Sequence, residues 1–488
     1  MSDSAVAQHG APRIEVREVT RKLGLAGIVG IIFFSVSGGP YGLEDTIGES
    51  GAGIGLLLIL ITPLIWSLPT SLMVAEMATM MPVQGGYYQW VKTGLGEFWG
   101  FCEGWWSWVV SWVDLAIYPV LFVDYASYFF PELGTNAWLR WSVCVVVIWG
   151  LALVNMRGAS VVGDSSKIFL IVVIAPFLIV TIIGLLKMKY SPFDPVHPPG
   201  VGIGPAFGAG LFVIMWNYMG WDGLSTVAGE IENPRRNYPR ALAITIPLIT
   251  ILYLVPTLVS LAVVGTDNVE WTAGAYNLVA EEVGGKWLGT VMSITALVSA
   301  VGLFSAWLLS YSRIPFALSD DGWLPPALSK LHPRFGTPTF AIVVAAIICS
   351  AAATGPFQSL VAIDVTVYAC ALMLEFAALI AMRRKYPDLA RPFRVPGGWF
   401  GVSVITLLPA LVIVAAVYYQ VKDVGAVQGI GWAAAALLTG PLAYVVLRPS
   451  RRKRGIDKRV ELATGELVDV GIVTNAQHTN AQQTNGQP

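Results

Sequence analysis

Four carboxylic acids, Glu44, Glu103, Asp114 and Asp222, lie inside runs of apolar residues. At membrane depth a charge costs about 2.5–3.5 kcal/mol on insertion scales, so an acid there marks an ion or substrate path unless it lies near an interface. A carboxyl withdrawn from water is also easier to protonate, which suits it to carry a coupling proton. Asp222 suits a ligand or coupling role, the alternative being a structural bond to neighbouring free amides. Glu44 and Asp45 face either a cavity or the outer interface. The 11-residue step from Glu103 to Asp114 rotates only about 20° beyond whole turns, which puts both on one helix face about 16 Å apart. Asp364 and Glu375 repeat that spacing, and for them a salt bridge inside the bundle is an equal reading. Lys167 either snorkels to the interface or is a buried amine standing in for a coupling ion.

The elements that position these groups are interrupted helices. Leu23 to Leu43 carries no formal charge and is long enough to cross a hydrocarbon core about 30 Å thick. Gly38, Gly39 and Pro40 break it, because proline removes a donor and glycine leaves helical geometry readily. Backbone groups freed at this depth must line protein, not lipid. The run Trp216-Asn-Tyr-Met-Gly-Trp-Asp-Gly223 interrupts a second span in the same way.

The 488 residues are 55% apolar and 12% charged, with mean hydropathy +0.65; a soluble globular chain carries about 25% charged residues. The composition specifies an all-α integral membrane protein. Twelve spans are expected, at 23–49, 53–80, 97–128, 138–155, 165–186, 206–228, 241–264, 287–312, 338–354, 357–382, 401–421 and 430–447. With the N-terminus inside, the inner segments hold 25 Lys and Arg and the outer segments five, so both termini are placed in the cytoplasm. The two breaks are five spans apart. An odd offset reverses orientation, which suggests inverted repeats at 23–200 and 201–382. Residues 1–22 form a cytoplasmic tail and 383–447 hold two further spans. The segment 448–488 begins with a basic run suited to lipid headgroups and ends in an Asn/Gln/Thr-rich stretch expected to be disordered. Cys102, Cys144, Cys349 and Cys370 have no paired or metal-type spacing, and the four histidines lie in tails or loops. No metal, cofactor or nucleic-acid signal is present, no nucleophile motif points to an enzyme, and the oligomeric state is left open.

Acids outnumber membrane-buried bases, which favours a cationic amine; the amides freed after Pro40 would suit a carboxylate, because a helix N-terminus attracts negative charge. The expected pocket comprises Ser37, Gly38, Gly39, Tyr41, Glu44, Asp114, Trp216, Asn217, Trp221, Asp222 and Trp307, with Asp222, Glu44, Glu103 and Lys167 as coupling candidates. A proton gradient would be the driving force, and the bilayer and a small amine or amino acid the partners.

Several motifs are shared with a known group. Val36-Ser-Gly-Gly-Pro-Tyr-Gly-Leu-Glu-Asp45, Pro63-Leu-Ile-Trp-Ser67, Ala75-Glu-Met-Ala-Thr79, Trp216-Asn217 with Trp221-Asp222, Ser225-Thr-Val-Ala-Gly-Glu230, Leu374-Glu-Phe-Ala-Ala378 and Arg391-Pro-Phe-Arg-Val-Pro396 resemble the amino acid, polyamine and organocation superfamily, nearest its polyamine:proton symporters of the plant uptake type. The resemblance implies a LeuT-type fold of five plus five inverted spans with helices one and six broken. It also implies alternating access and uptake at the cell (plasma or inner) membrane, usually driven by protons. Plant polyamine members carry acids in span eight. Here Leu303-Phe-Ser-Ala-Trp-Leu-Leu-Ser-Tyr-Ser-Arg313 has none, and it is closer to generic amino acid permeases, in which an aromatic such as Trp307 walls the pocket.

Overall fold

The computed structural model describes residues 23–353, 357–424, 431–452, 459–461 and 467–469. The tails expected at 1–22 and 474–488 lie outside the described residues. Among the described residues, nine helices are long and apolar enough to cross a membrane, and three shorter apolar helices, Leu25–Val36, Ile203–Asn217 and Thr339–Ala352, fall in the remaining expected spans. In lipid a helix is the one open-chain structure that pairs all its own backbone groups, which is why the uncharged runs are helical. Two further helices, Gly86–Leu95 and Ala275–Gly284, lie between expected spans; they are too short and too polar to read as crossings. A two-stranded ribbon pairs Arg459–Glu461 with Leu467–Asp469.

The first expected span is two helices, α1 (Leu25–Val36) and α2 (Glu44–Ser50). Ser37 and Gly38 both donate their N–H to the Phe33 carbonyl, at 2.8 and 3.1 Å, closing α1. Gly38 turns the chain at φ +62°, in the left-handed region where only glycine is comfortable. α3 (Glu97–Ala126) is continuous through both of its inner acids. α4 (Ile203–Asn217) stops at the second break, after which the chain makes only 3-10 turns at Gly223–Thr226 and Ala228–Glu230. α5 (Lys286–Tyr311) and α6 (Phe357–Lys385) complete the surround.

Buried ion pairs lock one end of this bundle. Glu76 is fully buried and takes Arg383 in a two-point contact at 2.8 and 2.5 Å, with Arg391 at 3.3 Å and the Val395 N–H at 2.7 Å. The Ala75-Glu76 and Arg391–Pro396 motifs thereby meet, in the structural pairing that the acid's position near a helix end suggests. Removing one member of a buried pair strands the other and costs about 3–5 kcal/mol. Glu76→Gln is therefore expected to lower the melting temperature of detergent-purified protein sharply; an unchanged melt would show the cluster to be inert.

Within the basic segment after the last span, one described residue turns back onto the bundle. Arg451 pairs with Glu97 at 2.5 Å, donates to the Asp321 carbonyl at 2.8 Å and lies 4.6 Å from the Trp323 ring centroid. A weakly hydrated planar guanidinium is well suited to that combination of stacking and pairing.

Candidate substrate site

The two breaks meet. The Asn217 side chain donates to the Gly42 carbonyl at 3.2 Å, and a Cβ on Gly42 would stand 3.2 Å from the Trp216 ring. Gly220 has φ +94°, and a Cβ there would lie 2.3 Å from the Ser35 carbonyl oxygen and 2.6 Å from Trp307. The second break is thus pressed against the end of α1 with no room for a side chain. Gly220→Ala combines backbone strain with overpacking, and uptake is expected to fall at least about tenfold. Gly229→Ala, where the nearest atom is 3.9 Å away, should be neutral. Equal uptake by the two variants would show that the close approach is dispensable.

Two narrow cavities lie at the meeting point. One is lined by Tyr87, Glu103, Ser107, Asp222, Trp307, Tyr311, Tyr368 and Glu375, together with Val110 and Ala371. The other is lined by Ser37, Asp114, Tyr118, Trp216, Asn217, Trp307, Tyr311 and Asp364, with Ser35, Val36, Met219 and Leu303. Trp307 and Tyr311, one turn apart on α5, stack at 4.5 Å between centroids and wall both. Glu103, Asp114, Asp222, Asp364 and Glu375 are all at most 3% exposed, and no Lys or Arg lines either cavity. The buried bases are engaged elsewhere, Lys92 with Asp321, Arg313 with Glu230 and Arg383 with Glu76. Desolvated carboxylates without basic partners attract cations and protons.

Local bonds hold some of these acids. The Tyr368 hydroxyl donates to Asp222 and accepts the Gly220 N–H at 3.2 Å, tying the acid to the second break. Tyr118, one turn along α3, donates to Asp114 at 2.8 Å, and Ser107 donates to Glu103 at 3.3 Å. One oxygen each of Glu103, Asp114 and Glu375, and both oxygens of Asp364, have no hydrogen-bond partner in the protein.

Several expected members sit elsewhere. Glu44 lines neither cavity: it turns back to accept the Gly42 N–H at 2.7 Å and the Gly274 N–H at 3.4 Å, because the amides freed by the break must be satisfied. Tyr41 is packed between Tyr125 and Phe177 and donates to the Met292 carbonyl at 2.9 Å. Trp221 is fully buried with its indole N–H on the Tyr218 carbonyl at 2.9 Å and lines neither cavity. The freed groups of Gly38 and Gly39 are taken within the protein, the Gly38 carbonyl by the Ser299 hydroxyl and the Gly39 N–H by the Ser37 hydroxyl at 3.0 Å. Lys167 is 43% exposed and pairs with Asp164 at 2.6 Å, so it is no buried amine. Asp124, off the Glu103–Asp114 face, pairs with Arg140 at 2.6 Å.

Ser37, Asp114, Trp216, Asn217 and Trp307 do come together, as do Glu103, Asp222 and Trp307. Asp364 and Glu375 join them instead of pairing with a base. The wall tyrosines Tyr87, Tyr118, Tyr311 and Tyr368 carried no periodic signal that separates a cavity wall from helix packing; the i to i+4 spacing of Trp307 and Tyr311 was the nearest clue.

Interrupted helices meeting around buried polar groups, in a bundle of apolar helices, define a multi-pass membrane transporter. The chain matches the family described as amino acid permease over residues 23–435 and belongs to it; it is a transporter and not an enzyme. It is 34% identical over 394 residues to the Polyamine transporter RMV1 of Arabidopsis thaliana, covering 81% of this chain and 79% of that one. With the Polyamine transporter PUT1 of Oryza sativa subsp. japonica it shares 33% over 453 residues, 93% and 83% of the two chains. With the Branched-chain amino acid permease BcaP of Bacillus subtilis it shares 26% over 397 residues, 77% and 82%.

Proposed function

We propose that this chain takes up cationic amines, amino acids or polyamines, by proton-coupled alternating access across the cell membrane, with both termini in the cytoplasm. The observation that carries the reading is the group of five buried carboxyl groups, without a basic partner, around the meeting point of the two breaks. In this reading the chain is a twelve-span, LeuT-type protein whose repeats at 23–200 and 201–382 place the breaks at the midplane. Substrate ammonium groups bind at the buried acids of the two cavities, Asp222 in one and Asp114 in the other, with Trp307 walling both and Trp216 lining the second. Asp222, with Glu103 and Glu375 beside it, takes up the driving proton. The names of the plant relatives support an amine substrate.

A second reading, a neutral amino acid permease or exchanger, is favoured by the acid-free stretch Leu303–Arg313 and by the bacterial relative. Uptake into proteoliposomes, with and without an inward proton gradient, across putrescine, spermidine, arginine, alanine and leucine separates the two. Gradient-driven amine uptake is expected. Uptake confined to alanine and leucine would sink the cationic reading, and indifference to the gradient would sink proton coupling.

A further inference from the structure

The acids of the two cavities are arranged in two levels. Glu103 faces the same cavity as Glu375, and Asp114 the same cavity as Asp364. Both steps, Glu103 to Asp114 on α3 and Asp364 to Glu375 on α6, are 11 residues, so the helices run antiparallel with their acids in matching register. Eleven residues of helix rise about 16 Å. The two levels are bridged by the Trp307–Tyr311 stack, whose rings border both cavities.

We infer that the two cavities are the two ends of one binding site for a long linear polyamine, one terminal ammonium lying among Glu103, Asp222 and Glu375 and the other between Asp114 and Asp364. This deepens the proposal above and rests on its amine reading. Four independent features fit such a ligand. Each level retains carboxylate oxygens with no protein partner, most plainly both oxygens of Asp364, a residue 1% exposed. No basic side chain lines either level to receive the carboxylate of an amino acid. The bridge between levels is aromatic, which suits methylene segments and attracts the ammonium groups between them. The length also matches. With covalent bonds near 1.5 Å, extended putrescine, spermidine and spermine place their terminal nitrogens about 6, 11 and 16 Å apart. Putrescine reaches one level, whereas spermidine, with the reach of the acidic side chains, and spermine reach both.

The test is equilibrium displacement of radiolabelled spermidine from the purified full-length protein in lipid nanodiscs, with putrescine, spermidine and spermine as competitors. In wild type the inhibition constant is expected to fall at least about tenfold from putrescine to spermine, a second charge pair being worth about one factor of ten or more. In Asp364→Asn and in Glu375→Gln, each with its melting temperature recorded, that dependence should flatten to within about threefold. Equal affinity for putrescine and spermine in wild type, a result that needs no variant, overturns the two-ended site while leaving the amine reading intact. Full length dependence in both variants also overturns it. Failure of every amine to bind, with leucine bound instead, overturns the amine reading itself.

Discussion

Asp222→Asn is expected to abolish gradient-driven uptake while leaving the protein folded. Asparagine is nearly isosteric and can still accept the Tyr368 hydroxyl that holds Asp222 beside the second break, so the packing around it is preserved. What disappears is a charge in a cavity with no basic residue lining it. Removing one side of a desolvated charge contact costs about 2–5 kcal/mol, equivalent to a loss of about 30-fold to several thousand-fold in affinity. The same substitution removes a group able to exchange a proton. Residual uptake should therefore no longer respond to an imposed gradient. Tyr368→Phe separates positioning from charge: it keeps the carboxyl and removes its donor, an effect of about 1–3 kcal/mol. Wild-type uptake and coupling in Asp222→Asn, measured in the same proteoliposomes, would remove this residue from the mechanism.

Trp307→Ala should raise the apparent KM for amines more than any other neutral substitution in the site. Its ring closes both cavities, stacks on Tyr311 and lies against the backbone of the second break, where a Cβ on Gly220 or Gly223 would touch it at 2.6 and 2.9 Å. Loss of a desolvated aromatic face weakens cation binding by up to about 2 kcal/mol, close to 30-fold. Truncating a buried tryptophan also costs about 3–5 kcal/mol of stability, so the comparison is with Trp307→Phe. If the ring's role is to hold the ligand, phenylalanine restores most of the affinity, and a KM for Trp307→Ala within about twofold of wild type would exclude that role.

Much of this architecture could be read from the sequence, and the reason is specific to lipid. Uncharged runs of about 20 residues must be helices there, and glycine and proline inside such runs mark the breaks without any tertiary information. The shared face of Glu103 and Asp114 was equally legible, since a single helix fixes it, and both acids border the cavities. Adjacency in the chain misled for Glu44. It follows the first break directly, yet a helix that restarts has unsatisfied amides, and the nearest acid bends back to the Gly42 N–H. Trp221 lies beside Asp222 in sequence yet lines neither cavity, its indole N–H donating to the Tyr218 carbonyl. Asp364 and Glu375 illustrate the converse limit. Their spacing on α6 was visible, but that α6 lies antiparallel to α3 with the acids in register depends on contacts between helices more than 200 residues apart in the chain.

The three tightest buried ion pairs, Glu76–Arg383, Lys92–Asp321 and Glu230–Arg313, gather at one end of the bundle, whereas the pairs Asp124–Arg140 and Lys189–Glu282 at the other end are a third to more than half exposed. Mobile ions screen exposed charges over about 8 Å at physiological ionic strength but scarcely reach buried ones. The end with the buried pairs also carries the exposed pair Asp164–Lys167, so what distinguishes it is the presence of pairs that salt scarcely reaches, not the absence of exposed ones. Added salt is therefore expected to weaken the exposed pairs while leaving the buried ones intact, so the salt dependence of the melting temperature of the purified protein reports on the exposed pairs alone.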